Sequence, residues 1–414
     1  MLNFVSEREP ITPARKPSKI ALVLGLKPAP DYGACFLESL TDFSDSTYDF
    51  TAIASKESRE AQNHGGRVRY VWSKSVFHPL QIWIHLWRNR PHLVHIQHEI
   101  NLFGGIWGVL MLPVLILLLK SIRLRIVTTI HAVVPLPIVQ GDFARFFSFP
   151  KHPLVSRIMK STLYWSYHLT LHLCDRVIVH SPFLSDQLVA YYGGSLKNIR
   201  VIPHPELALV SGQTGEPTPK VVDRLSGKRV ILSFGYLMRR KGIEDLISAF
   251  ASVSHLYPDY VLVVAGGSSQ PDYVTELKQL VMEKHVKEQV IFTGFIEAAD
   301  VHCLFERSEF VALSALLSFS ASGPYAVALA HEKPVVAPRI GYFAETVAHM
   351  TDGLLYDPHD LASFSDALRQ MMGSSELRAR MSQAIASKRK DYSPALIVKK
   401  TCHLYEEVLC EFGV

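Results

Sequence analysis

The stretch RVILSFGYLMRRKGIEDLISAF, Arg229–Phe250, decides the fold. An apolar run ends at a glycine, a basic turn follows, and apolar residues then recur at helical spacing. That is a strand, a loop and a covering helix, the repeating unit of an open parallel sheet. Downstream the unit recurs: YVLVVAGG with DYVTELKQLVMEKH, VIFTGF with EAADVHCLFERS, then EFVALSAL and KPVVAPRIG. Upstream, Pro205–Lys228 is rich in Gly, Pro, Ser and Thr and reads as a linker. Before that linker the alternation has already run once, through KIALVLGL, YDFTAIA, RVRYVW, PHLVHIQHE, RIVTTIH, DRVIVHS and NIRVIPH. The predicted fold is therefore α/β, with two Rossmann-like doubly wound domains. Ligands of such sheets bind beyond the carboxyl ends of the strands, so the two domains should face each other across a cleft.

The length of 414 residues agrees, since a single core rarely grows past about 250–300. The expected organisation is a flexible leader over 1–18 and an acceptor-side domain over 19–205. A linker over 206–228 and a second Rossmann-like domain over 229–385 follow. A helical segment over 386–414 could pack back on the first domain. A net charge of +5 is too small to point to nucleic acid, but suits an anionic small ligand or an anionic membrane surface. The five cysteines include no C-x-x-C pair, which argues against a disulfide framework or a structural zinc site and for a reducing cytoplasm.

Leu102–Leu119 carries no charge and reaches the lower limit for a membrane span. Its glycines and Pro113 sit early in the run, and NLFGG reads as a loop. What remains is too short to span and reads as a buried or membrane-touching helix. Between Gln140 and Lys160, Phe143, Phe146, Phe147 and Phe149 interleave with Arg145, Lys151, Arg157 and Lys160. That mixture suits an interfacial surface, and equally a loop packed on the core.

Candidate site residues fall where strands end. Gly235 closes the first strand of the second half, and Arg239, Arg240 and Lys241 follow at the next helix start, a cation group fit for a diphosphate or a plain solvated loop. Gly294 and Phe295 end VIFTGF, where a planar ring can approach the backbone. In SASGP, Ser322 or Gly323 suits the N-cap and Pro324 the first helical position. Such a helix mouth presents free N–H groups to an anion, although a well-capped helix reads the same way. In the first half, Gly33 lies after the first strand, His98 and Glu99 end HIQHE, and His131 ends TTIH. No G-x-G-x-x-G or H-E-x-x-H pattern is present, so neither a dinucleotide fingerprint nor a zinc helix is indicated.

Taken in order, these pieces resemble family 4 glycosyltransferases. The resemblance rests on HIQHEINLFGG, VTTIHAVVP, CDRVIVHS, IRVIPH, FGYLMRRKGIEDLISAF, VAGG, FTGFIEAADV, SGPYAVALAHEKPVVAPRIGYFAETV and DGLLYDP, from about Lys19 to Met372. It implies the two-domain GT-B fold, a nucleotide-diphosphate sugar as co-substrate, retention of configuration, and no essential metal or other cofactor. By the same resemblance, Lys241 grips the diphosphate with Ser322 and Gly323, and Gly294 and Phe295 flank the base. His131 sits beside the reacting sugar, Gly33 lies under the diphosphate, and Glu345 is structural. Two glutamates usual in the family are replaced by Phe319 and Val327, and a usual arginine by Tyr236.

The expected function is transfer of a hexose-type sugar to a saccharide or lipid-linked acceptor, in cell-surface polysaccharide or glycolipid synthesis. The expected place is the cytoplasm, at the inner face of the membrane, with peripheral contact to anionic lipid and no nucleic-acid partner. The rivals are a non-catalytic partner of an active transferase, an integral membrane protein anchored by Leu102–Leu119, and a sugar-nucleotide epimerase of the same architecture.

Overall fold

The computed structural model describes residues 17–26, 36–40, 47–58, 67–99, 103, 105–140, 143, 152–207, 225–268 and 270–411. Gly33, the aromatic and basic residues of 144–151, the leader over 1–16 and most of the linker lie outside them.

The first sheet holds seven parallel strands: β1 (Ser18–Val23), β2 (Tyr48–Ser55), β3 (Val68–Trp72), β4 (Leu93–His98), β5 (Arg125–Ile130), β6 (Arg176–Val179) and β7 (Ile199–Val201). Their order is β3-β2-β1-β4-β5-β6-β7, reversing direction beside β1 as a doubly wound sheet does. The central strands are buried along most of their length, β4 at every residue, which is why they read as near-continuous apolar runs rather than alternating ones. One face is covered by α1 (His78–Asn89), α2 (Ile106–Ser121), α3 (Pro153–Leu173) and α4 (Pro182–Tyr192). Helix α4 starts on a Ser181 cap that accepts from Leu184 N–H and stops at Gly193, whose φ of 73° suits a left-handed cap.

The second sheet holds β8 (Arg229–Phe234), β9 (Tyr260–Ala265), β10 (Val290–Gly294), β11 (Ser308–Ala312), β12 (Val335–Pro338) and β13 (Gly353–Tyr356), in the order β10-β9-β8-β11-β12-β13. It is covered by α5 (Ile243–Val253), α6 (Pro271–Glu283), α7 (Ala298–Arg307), α8 (Gly323–Ala330), α9 (Gly341–Thr346), α10 (Leu361–Gly373) and α11 (Ser375–Lys388). The two parallel sheets are those the alternation predicts.

The last helix, α12 (Pro394–Cys410), belongs to the other sheet: Ile397, Leu404, Tyr405 and Val408 pack with Ile20, Leu22 and Phe50. The chain thus crosses between domains twice. Arg389 ties the crossings together through Glu206 at 2.9 Å and Glu332 at 2.9 Å. Glu345 of α9 accepts the N–H of Phe183 on α4 at 2.9 Å, a contact between the domains that gives this carboxylate a structural task.

Candidate active site

The carboxyl ends of β8 to β11 build one wall of the cleft. Gly235 and Gly266 carry φ of 126° and 147°, and a β-carbon on Gly266 would lie 2.0 Å from the Gly235 carbonyl oxygen. Only glycine fits there. These glycines draw the β8 and β9 loops together, and Leu237 N–H bonds Gly267 O at 2.8 Å. Gly266 N–H reaches Gly294 O at 3.0 Å, which sets Gly294, with φ of 72°, beside the same loop. Phe295 follows with its ring 69% exposed, an apolar plane with one face free. VAGG, noticed in the sequence only as a motif, is therefore part of the wall.

Beside this wall lies a shallow pocket, open to solvent and bordered by Gly235, Tyr236, Lys241, Ser314, Ser322 and Pro324. Lys241 ends the turn Arg239–Lys241, and its carbonyl accepts from Ser314 Oγ at 2.7 Å. Desolvation, and then the charge of Arg240, push its pKa down to about 7. Among the described residues no carboxylate pairs with its ammonium. A desolvated cation without a counter-charge is a candidate anion ligand. The mouth of α8 opens on the same pocket. Ser322 Oγ accepts from Tyr325 N–H at 3.3 Å and Ser322 O from Ala326 N–H at 3.0 Å. Pro324 has no N–H, so Gly323 offers the first free donor, and open space lies in front of its Cα.

The neighbouring arginines part company. Arg239 turns away: it grips Glu276 of α6 through two bonds of 2.7 Å and stacks 5.0 Å over Tyr273. Its charge is matched by Glu276, away from the pocket. Arg240 points into the cleft, 5.6 Å over Phe319, where burial lowers its pKa and Glu99 of the first domain offsets part of that. Glu99 is half-buried at the end of β4 and so reaches the cleft as the sequence places it.

His98 does not. It is buried, stacked 5.7 Å from Phe103 and edge-on to Tyr167, with desolvation holding its pKa down to about 4. It sits in the packed layer with Trp72 and does not face an acceptor. The side chain before Glu99 on a strand points to the opposite face, which separates the two.

His131 ends β5 and meets partners absent from the sequence reading. Its Nδ1 lies 3.0 Å from His180 Nε2, and its Nε2 lies 2.8 Å from the Gln97 amide. His180 uses Nδ1 to donate to Ile202 O at 3.0 Å, so its Nε2 accepts and His131 donates through Nδ1. Desolvation, then His180 and its neighbours, holds the His131 pKa well below the usual range, so the ring is neutral. The atom 2.8 Å from His131 Nε2 is Gln97 Oε1, so a neutral ring accepting there requires the amide flipped to present its NH2, an assignment made from the network. Both ring nitrogens are occupied, and this histidine is held as a fixed hydrogen-bonding group rather than a proton shuttle. His95, pinned by Thr129 at 2.7 Å and by Tyr405 of α12, and His204 extend the buried cluster. Their strand-end positions were the available signal; their mutual contact was not.

Phe319 and Val327 are both filled by packing. Val327 lies in the core of the second domain, whereas Phe319 crosses into the first, 6.4 Å from Phe143. Its carbonyl accepts from Val133 N–H at 2.7 Å, and Ser320 forms an antiparallel bridge with Ala132. Phe143 is buried in that contact, so the start of the aromatic stretch is core and not interface.

Among the described residues, one group of side chains has ligand atoms close enough for a metal ion, away from the cleft. His302, Glu306 and His331 bring such atoms within 4.8 Å, at the far end of α8. The His302–His331 hydrogen bond of 3.1 Å accounts for that approach.

Two family models match the chain. The one for Glycosyltransferase Family 4 covers residues 44–205, and the one for Glycosyl transferases group 1 covers 216–388. The chain belongs to the family 4 glycosyltransferases. Its similarity to curated members is modest. A D-inositol 3-phosphate glycosyltransferase of Corynebacterium kroppenstedtii is 26% identical over 57% of this chain and 54% of its own length. The alpha-monoglucosyldiacylglycerol synthase of Streptococcus pneumoniae is 26% identical over 65% and 57%. The chain thus spans little more than half the length of such relatives. Among solved structures, HepE of Anabaena in complex with UDP and glucose aligns over 94% of this glycosyltransferase and all of HepE, with TM-score 0.71 at 17% identity. Sucrose-phosphate synthase of Thermosynechococcus elongatus gives 0.73 at 16%, over 95% of this chain and 100% of that one. These establish the two-domain GT-B fold.

Proposed function

We propose that this chain is a retaining, metal-independent hexosyltransferase. It takes a nucleotide-diphosphate sugar on the second domain and a saccharide or lipid-linked acceptor on the first. Its place is cell-surface polysaccharide or glycolipid synthesis, at the cytoplasmic face of the membrane. The observation that carries the reading is Lys241, an ammonium without a carboxylate in a pocket that opens on the mouth of α8. UDP bound by HepE, and the lipid and inositol phosphate named for the relatives, support the two substrate classes.

In this reading the base lies against Phe295 and the Gly266–Gly267 loop, and the diphosphate between Lys241 and Gly323. As the bond from the sugar C1 to the β-phosphate breaks, negative charge grows on the phosphate oxygen. Lys241 and the helix mouth stabilise that charge more than the ground state, which is the catalytic effect. The acceptor oxygen bonds C1 on the same face, and its proton passes to the departing phosphate. His131, neutral and doubly tied, positions the sugar. Glu99 borders the acceptor side.

Calorimetric titration of UDP and GDP into wild type and Lys241→Ala tests this. The expected result is binding of one nucleotide, weakened roughly 10- to 150-fold by the substitution, since hydrogen bonds to charged groups contribute roughly 1.5–3 kcal/mol. A folded protein that binds neither nucleotide overturns it. The apolar Phe319 and Val327 favour one second reading, a partner that binds without turnover. Nucleotide binding with no release of UDP from any UDP-hexose, with or without acceptor, selects it.

A further inference from the structure

Helix α2 is apolar on all sides, yet one side faces out. Val109, Leu112, Ile116 and Leu119 enter the core, while Trp107, Leu110, Val114 and Leu117 are exposed. Those four fall on one stripe, spaced three, four and three residues apart. The neighbouring α1 repeats the spacing outward, with Phe77, Leu80, Ile84 and Trp87, while Ile82 and Leu86 point inward. On the other side α3 exposes Leu154, Ile158 and Trp165. As α2 packs against both neighbours, the three stripes lie on adjacent helices, and exposed apolar side chains clustered in this way mark interaction sites.

Charge identifies what covers it. None of the three helices contains an Asp or a Glu, whereas Arg88, Arg157 and Lys160 lie among or beside the stripes. A second copy of the chain would set cation against cation. A layer with apolar chains below and anionic headgroups above satisfies both features. Trp87, Trp107 and Trp165 each combine a flat apolar body with one polar N–H, which suits the headgroup level. The contact is with the surface. At 16 residues α2 is roughly 24 Å long, against about 30 Å of hydrocarbon, and no described helix is long and apolar enough to cross.

We propose that the outward face of α1, α2 and α3 rests on an anionic lipid bilayer. This extends the membrane contact of the proposed function by giving it a surface, which takes in Arg157 and Lys160 from the end of the 140–160 stretch and adds the helices before it. The helices α1 and α2 begin just after the carboxyl ends of β3 and β4, so their first turns lie at the cleft rim. Docking therefore brings the cleft to the lipid surface, within reach of an acceptor whose lipid end stays in the bilayer.

The test is co-sedimentation of the full chain with vesicles of phosphatidylglycerol and phosphatidylcholine in equal parts, and of phosphatidylcholine alone, with UDP affinity measured on the same samples. Wild type should bind the mixed vesicles at least about tenfold more tightly, since each cation near an anionic surface contributes roughly 1 kcal/mol. Trp107→Ser with Leu110→Ser should abolish binding, and Arg157→Glu with Lys160→Glu should remove the preference for phosphatidylglycerol. Both variants should keep the UDP affinity of wild type, which shows that they are folded. Equal binding to both vesicles, or to neither, overturns the proposal. So does a dimer in light scattering that Trp107→Ser dissociates, which would assign the face to a second copy. Vesicle binding without UDP binding would leave this inference standing and remove the transfer reading; UDP binding without vesicle binding would do the reverse.

Discussion

The two sheets end their strands in the same cleft with opposite chemistry. At the second sheet the strand ends are glycines, Gly235, Gly266 and Gly294, that let the loops close on one another, and among the described residues Lys241 has no answering carboxylate. At the first sheet they are crowded and self-satisfied: His131, His180, His95 and Gln97 bond one another, and burial keeps the histidines neutral. An uncompensated charge in a partly desolvated pocket costs stability unless a ligand repays it. A closed histidine cluster needs no ligand; it holds a surface in shape. In the proposed function, that difference suits anion binding at one wall and positioning at the other.

That contrast can be broken in four ways. Gly266→Ala forces a β-carbon onto the Gly235 carbonyl, at a φ that L-residues avoid, and should cost about 3 kcal/mol of stability. Urea unfolding reads this, and an unchanged midpoint would mean that the glycine wall is not tight. His180→Ala leaves the Nδ1–H of His131 without its acceptor and should lower stability by about 2 kcal/mol. UDP affinity should stay within about twofold, because a tenfold loss corresponds to 1.4 kcal/mol that the first domain is not asked to supply. Phe295→Ala should leave stability alone and weaken UDP about tenfold, the low end for a stacked base, since the ring is open to water. Arg239→Ala should change UDP affinity by less than about twofold and leave the urea midpoint unchanged, its pair with Glu276 being exposed and screened by solvent. A large effect there would return Arg239 to the site.

The architecture was legible because parallel strands and covering helices write their periods into the sequence, as β4 and α5 do. The glycines, Lys241 and the α8 cap were legible because turn geometry and capping demand those residue types. Arg239 and His98 were misplaced for one shared reason: a strand end or a basic turn fixes where the backbone goes, while a side chain's direction depends on partners distant in sequence. Glu276 draws Arg239 away, and Phe103 covers His98. The His131–His180 contact and the crossing of Phe319 into the first domain join segments far apart in the chain, and no local pattern records them.

The central claim is that Lys241 is a half-titrated cation waiting for a diphosphate. Its pKa near 7 in the free protein must rise when the anion binds, because the charged form is then favoured. Below about pH 7 the free and bound forms both carry the proton, and affinity is full. As pH rises above that value, binding must take up a proton, and affinity falls by up to about tenfold per unit. The nucleotide's own terminal phosphate, with a pKa of about 6, is already ionised there. UDP titrations across this range on wild type and Lys241→Arg measure it directly. The account predicts a falling limb above pH 7 in wild type that disappears in Lys241→Arg, whose guanidinium stays charged. The same pH profile for both proteins, or tight pH-independent binding in wild type, would contradict it.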